Sequence, residues 1–382
     1  MKRPFLTETH DIFRASLRKF LEDEALPNYE QWEKDKQVPR TFWLKMGEKG
    51  FLCPQVDEKY GGLEADFGFS VVIAEEFDRI GTGLASGVSL HNDIVIPYIE
   101  TLGTEEQKKQ WLPKATSGDM ISAIAMTEPF AGSDLANIKT TAVKDAGTYI
   151  INGEKTFITN GHSADLAIVV CKTDAQASPP HKGISLLVVE AGMPGFSKGK
   201  KLSKVGQHAN DTCELIFEDV RVPSDYLLGE ENKGFYYLMQ NLQQERLIVA
   251  IQSIASVEKI LDLTLDYVKE RKAFGKSIGS FQNTQFKLAE LKTELELGRT
   301  FVDRLIQEHM NSEDIVNEVS MAKWWASELA KKAATECMQF HGGYGYMEEY
   351  EIARRYRDTA VSTIYAGTNE IMKRIIAKNM GL

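Results

Sequence analysis

The sequence predicts an α+β chain of three consecutive regions: helices, then strands, then longer helices. Three observations carry this. Residues 1–120 show apolar side chains at helical spacing, broken by the turn-rich stretch Asp57–Gly62. Over 121–228 the pattern changes to short β-branched and aliphatic runs separated by Gly, Asn, Asp and Pro. Over 229–382 helical spacing returns in stretches long enough for extended helices, 235–270, 283–310 and 313–340. Helices, strands and helices in succession point to separate sub-domains, not to a doubly wound sheet.

Taken in order, the first region opens with Phe13, Leu17, Phe20 and Leu21 on one helical face, and Glu8 appears early with no apolar core after it, unlike an export signal. Gly68–Ile80 and Asp93–Leu102 read as short core helices. In the middle region Tyr149–Ile151, Thr156–Thr159, Leu166–Val170, Ile184–Val189 and Glu214–Phe217 read as strands of an antiparallel domain, and Asn152-Gly153 between two of them is a hairpin signal. After Pro223, Gly229–Gly234 reads as a linker into the last region.

Composition excludes several classes. With 55 acidic and 45 basic side chains the formal charge is −10, which disfavours nucleic-acid binding. Four cysteines, Cys53, Cys171, Cys213 and Cys337, form no C-x-x-C pair, so neither a disulfide framework nor a metal site follows, and a reducing, cytoplasmic setting is expected. No run approaches the length of a membrane span. No G-x-x-x-x-G-K-[ST] occurs, and Gly342-Gly343-Tyr344-Gly345 lacks the context of a dinucleotide fingerprint.

Four segments can carry chemistry. Ala125–Asp134 is punctuated by Pro129 and Gly132, which frees backbone N–H groups and the Thr127 and Ser133 hydroxyls for a phosphate or an electron-rich ring; alone it is equally a surface turn. Lys155–Gly161 sets an aromatic and a hydroxyl on an alternating strand, or is simply a strand. Glu270–Lys276, with Phe281-Gln282, is a basic cluster suited either to helix-end carbonyls or to a pyrophosphate. Gln339–Tyr346 and Ile364–Glu370 pack glycines closely enough for backbone to approach a cofactor or another chain.

In this order and spacing the four segments resemble the acyl-CoA dehydrogenase family over nearly the whole chain. Further matches are Tyr60-Gly61-Gly62, Gly103–Gln107 and Phe217–Pro223; Gly229–Tyr237 and Gln244–Leu247 look most like the long-chain type. The resemblance implies an N-terminal α-helical domain (1–120), a middle antiparallel β-barrel-like domain (121–228) and a C-terminal four-helix bundle (229–382). It implies FAD between the last two, in a homotetramer built as a dimer of dimers. Met126, Thr127, Gly132, Ser133, Phe157 and Thr159 match flavin-side positions, with Ser133 also near substrate and Phe157 where the family usually has tryptophan. Arg271, Phe274, Gln282, Gln339, Gly342 and Gly343 match contacts made by a neighbouring subunit to the adenosine half. Thr368 and Glu370 match cofactor contacts, and Tyr236, Gln243, Arg246, Ala366 and Gly367 match substrate-side positions.

The implied reaction is removal of hydrogen across Cα–Cβ of an acyl-CoA, with electrons passed to an electron-transfer flavoprotein. It needs a carboxylate for the α-proton. Many family members carry it just before the Gly-Thr of the last segment, where this chain has Ala366. Either the chain is catalytically inert, or the base lies elsewhere, as in the long-chain and isovaleryl types. Their position matches Glu245. The residues support this separately: Glu245 falls on the face of Leu238, Leu242 and Val249, and a carboxylate in an apolar stripe is costly unless paired or functional. The structural alternative is a buried salt bridge to Arg246 or another cation. A base there would have its pKa raised by burial, and the Ala366 N–H would remain for the thioester carbonyl. A short branched substrate, an oxidase and a non-catalytic flavin binder remain alternatives.

Overall fold

A computed structural model describes residues 3–382. The N-terminal region holds α1 (Glu8–Glu24), α2 (Tyr29–Asp35), α3 (Arg40–Glu48), α4 (Phe67–Ile80), α5 (Thr82–Ser89), α6 (Ile96–Leu102) and α7 (Glu105–Ser117). A π-helical turn, Leu90–Val95, joins α5 to α6. Helix α7 starts where Thr104 and Gln107 exchange cap bonds and stops at Gly118, φ 80°.

The strands are β1 (Ser122–Ala125), β2 (Thr141–Asp145), β3 (Thr148–Thr159), β4 (Leu166–Lys172), β5 (Ile184–Glu190), β6 (Phe196–Lys201), β7 (Thr212–Pro223) and β8 (Leu227–Leu228). Their order is β6-β7-β3-β2-β4-β5-β8, with β1 beside β4. Most pairs are antiparallel, as expected, but β1 runs parallel to β4 and β2 meets β4 in parallel at Thr141 and Lys172. The domain is therefore mixed. Strand β4 is buried on both faces: Leu166, Ile168 and Val170 pack with the N-terminal helices, whereas Ala167, Val169 and Cys171 pack into the sheet's own core. That explains its unbroken apolar run.

Asn152-Gly153 is not a turn. It lies inside β3, where the register against β7 shifts, and Gly153 has φ 149° with Thr140 so close that a Cβ would sit 2.5 Å from its hydroxyl. Asn152 instead exchanges two hydrogen bonds of 2.9 Å with Asp219 across the bulge. The hairpin turn is Ala146-Gly147, φ 44° and 86°, the left-handed pair of a type I′ turn. The same permissive residues serve bulges and turns, so the dipeptide alone does not decide between them.

The last region holds α8 (Gly234–Glu270), a ladder of β9 (Lys272–Ala273) with β10 (Lys276–Ser277), α9 (Gln282–Met310), α10 (Val316–Phe340), α11 (Glu351–Thr359) and α12 (Asn369–Asn379). Helices α8, α9 and α12 pack about α10, and α11 ties α10 back to α8 and α5. Val71 and Ala74 of α4 enter this core beside Leu247, Ile251 and Ile254 of α8. At 37 residues α8 spans about 55 Å, long enough to touch all three regions. Among the described residues no helix is long and apolar enough to cross a membrane.

Candidate active site

Leu238 and Val249 are buried on α8, and Glu245 is buried with them at 4% exposure. No cation lies within ion-pair distance of Glu245 among the described residues; its hydrogen bond comes from the Tyr98 hydroxyl, at 2.9 Å to Oε1. Burial pushes the Glu245 carboxyl up to about 7, with the Tyr98 hydrogen bond and the Arg246 charge pulling weakly against it. The expected alternative of a buried salt bridge is thus absent in geometry. A carboxyl with that pKa is ionised about half the time near neutrality and can take up a proton there.

Arg246 is itself 6% exposed, and its Nε has no hydrogen-bond partner. Burial lowers its pKa, offset by Glu245. Its guanidinium faces the turn at Ala366-Gly367: a Cβ on Gly367 would lie 3.9 Å from it. Both turn residues are left-handed, φ 51° and 88°, and for alanine this is strain that the surroundings must hold. They do so through Lys323, wholly buried on α10, whose Nζ donates to the Gly367 carbonyl at 2.7 Å and to Asn369 Oδ1 at 3.2 Å. Burial and the nearby Arg246 bring Lys323 down to about 8. Thr368 caps α12 by accepting from the Ile371 N–H, and Glu370 lies exposed in that helix's first turn.

In the middle region Met126 and Thr127 are half-buried at the end of β1, whereas Gly132 and Ser133 are exposed in the following turn. The Thr127 carbonyl accepts from the Thr156 N–H at 2.9 Å. Beneath it, fully buried Lys155 donates to the Met126 carbonyl (3.0 Å) and to Glu128 Oε1 (2.8 Å). Phe157 sits at φ 60° on a bulge of β3 with 66% of its surface exposed, and Thr159 is half-buried two residues on. The left-handed backbone at Phe157 is strain for a bulky residue, and it turns the ring outward from the sheet.

A third group surrounds a cleft of about 460 Å³ whose lining includes Arg271, Gln339, Gly342, Gly343 and Tyr344. Arg271 lies 5.4 Å from the centre of the Tyr344 ring. Added Cβ atoms at Gly342 and Gly343 would meet nothing within 4 Å, so both glycines face open space. Phe274, 95% exposed, lies between β9 and β10, and Gln282 opens α9.

One chain thus gathers the predicted residues into three groups. Two fall outside the Glu245 group. Gln243 spends its amide on the α9–α10 connection, donating to the Glu313 carbonyl (3.0 Å) and accepting from the Ile315 N–H (2.9 Å). Tyr236 is 41% exposed near His181 at the start of α8. Sequence reasoning missed Tyr98, Lys323 and the Lys155–Glu128 pair. The two lysines left a usable signal, a charge in an apolar register; Tyr98 left none.

Profiles of the acyl-CoA dehydrogenase N-terminal, middle and C-terminal domains match residues 7–119, 123–220 and 232–381. The long-chain specific acyl-CoA dehydrogenase of Sus scrofa is 50% identical over 380 residues, covering 100% of this chain and 88% of its own. The isovaleryl-CoA dehydrogenase of Pongo abelii is 36% identical over 375 residues, covering 98% and 89%. The crystal structure of an acyl-CoA dehydrogenase from Geobacillus kaustophilus shares 65% identity, covers 99% of both chains and superimposes with a TM-score of 0.98.

Proposed function

This chain belongs to the acyl-CoA dehydrogenase family, and we propose that it dehydrogenates a straight medium-to-long-chain acyl-CoA to the trans-2-enoyl-CoA, with Glu245 as the base. The observation that carries this reading is the buried carboxyl of Glu245, held by the Tyr98 hydroxyl and by no cation, next on α8 to Arg246, which faces the Ala366-Gly367 turn. Ala366 has no carboxyl to take a proton, so Glu245 takes the α-proton. The Ala366 N–H is held in place by Lys323 through the Gly367 carbonyl and donates to the thioester oxygen, which acidifies that proton. Burial keeps the base near neutrality and excludes water from it.

The family is FAD-dependent, and the residues present fit that group. Exposed Phe157 offers a face for a flat ring, the propped Met126–Thr127 backbone lies at the end of β1, and the open cradle at Gly342-Gly343 with Arg271 suits an adenosine diphosphate half. When bound, FAD supplies the acceptor for the β-hydride. That the cleft at Gly342-Gly343 is lined by none of the Met126, Thr127 and Phe157 group supports a homotetramer, a dimer of dimers, in which the cradle serves a neighbour's cofactor. Greater identity to the long-chain relative than to the isovaleryl one, 50% against 36%, supports the chain-length assignment. An electron-transfer flavoprotein is the acceptor expected of a dehydrogenase. Four buried, unpaired cysteines fit a reducing compartment.

Glu245→Gln should retain its bound flavin and lose anaerobic bleaching by acyl-CoA by about 10²–10⁴-fold. Bleaching at the wild-type rate overturns the assignment. A panel of straight and branched acyl-CoAs in the same assay ranks chain length, and low peroxide release in air separates dehydrogenase from oxidase.

A further inference from the structure

The partner of Glu245 owes its position to an irregularity in the N-terminal region. Backbone from Thr82 to Leu102 is continuously helical, but Pro97 has no N–H to give to the preceding turn, and the π turn Leu90–Val95 widens the ladder just before it. Two carbonyls are thereby released, those of Asn92 and Asp93. Both are taken by glutamines from other elements: Gln55 Nε2 donates to Asn92 O at 2.8 Å, and Gln244 Nε2 donates to Asp93 O at 2.7 Å. The second glutamine immediately precedes Glu245, so α8 is clamped to the π turn at the base itself.

One extra residue in a helix rotates everything after it by about 100°. The π turn therefore sets the direction in which Tyr98 leaves α6. Tyr98 is wholly buried, and its hydroxyl is bonded to Glu245 Oε1 at 2.9 Å. We propose that Tyr98 is a positioning residue for the base: its hydroxyl fixes the plane of the Glu245 carboxylate, leaves Oε2 to meet the α-proton, and sets the pH at which that carboxyl ionises. This rests on Glu245 being the base.

Two groups favour the ionised form of Glu245, the neutral Tyr98 hydroxyl through its hydrogen bond and the Arg246 charge, and only the hydroxyl touches the carboxyl. Arg246 acts from the same helix, and Lys323 on α10 acts on Arg246. On the π turn it is the Asp93 main-chain carbonyl that takes the Gln244 amide, while the Asp93 carboxyl, itself raised by burial to about 7, pairs with Ser70 and Ser89; His309 on α9 meets the Gln244 amide oxygen. A hydrogen bond to the ionised form favours that form. Losing it raises the pKa of the carboxyl, and strengthening it lowers the pKa.

The test compares wild type, Tyr98→Phe and a variant carrying a fluorinated tyrosine at 98, a stronger donor of nearly the same shape. Flavin reduction by dodecanoyl-CoA is followed in single turnover against pH. In Tyr98→Phe the rising limb should move to higher pH by about one unit, a ten-fold loss on that limb that closes at alkaline pH. In the fluorotyrosine variant it should move the opposite way. A readout independent of turnover is the carboxyl stretch that vanishes in Glu245→Gln: its infrared titration should shift in the same two directions. If Glu245→Gln is inactive while the three profiles and titrations superimpose, the positioning role is overturned and the base stands. If Glu245→Gln bleaches at the wild-type rate, the base assignment falls, and with it Tyr98's part in the reaction.

Discussion

Two sets of buried carboxylates lie on opposite sides of the junction between the N-terminal and C-terminal regions, and they are treated oppositely. Glu75 and Glu76 on α4 are surrounded by guanidinium groups. Arg3, Arg14 and Arg299 reach Glu75 at 2.7–2.8 Å, and Arg14 and Arg18 reach Glu76 at 2.7 Å. Burial pushes the Glu75 carboxyl up, but Arg3, Arg299 and Arg14 outweigh it and hold it below the ordinary value. Glu245, equally buried, receives one neutral hydroxyl and sits at about 7. The first arrangement fixes a charge permanently and joins the N-terminal segment and α1 to α4 and α9. The second leaves a proton exchangeable near neutrality, which is what a general base requires.

The strongest way to break this contrast is Glu75→Gln. Three guanidinium groups then face a neutral amide, and breaking a buried pair of this kind costs about 3–5 kcal/mol. The loss should appear as a lowered urea midpoint at pH 7. Because the native pKa of Glu75 is depressed, its contribution is present above the unfolded value and fades as pH falls through the native one. Wild type and variant should therefore converge in acid. A constant gap down to low pH would show that packing, not charge, holds this junction.

The same contrast explains what was legible in the sequence. The long helices were, because their period persists: 235–270 was read against an observed Gly234–Glu270. Glu245 was legible because a charge in an apolar stripe is conspicuous. Tyr98 was not, since a tyrosine among isoleucines is an ordinary core residue and its partner lies 147 positions away. The π turn that aims it leaves only an ambiguous trace: Pro97 marks a break in the ladder, but a helix with one extra residue has the same composition as one without. Gln243, matched to a substrate-side position, has its amide on the α9–α10 connection, because two residues along a helix point nearly opposite ways and adjacency to Glu245 on the chain is not adjacency in space.

The Lys155–Glu128 pair lies between these extremes. Glu128 keeps backbone N–H groups from Lys139 and Thr140 whatever happens to the lysine, so Lys155→Met should cost less than Glu75→Gln, about 3 kcal/mol. Its thermal midpoint should drop, and flavin should be lost faster on dialysis, since Lys155 also holds the Met126 carbonyl. The double variant Lys155→Met/Glu128→Gln should recover part of the stability, because no buried charge is then left alone. Equal losses in single and double variants would place the cost in the backbone contact instead.

The smallest effect has the opposite sign. A carboxyl whose native pKa is raised gives no penalty below its unfolded value, where both states are protonated, and its full penalty above the native value, where both are ionised. For Glu245 that window runs from the ordinary 4.5 to about 7. Glu245→Gln should therefore be more stable than wild type at pH 8, by about 2 kcal/mol once partial solvent relaxation is allowed for, and should match it near pH 4. Thermal unfolding of the flavin-loaded enzyme across that range measures the difference. Glu75→Gln and Glu245→Gln make the same chemical change, carboxylate to amide, at two buried sites. If both destabilise at pH 8, then Glu245 is structurally compensated after all, and its ionisation is not held in reserve for the substrate.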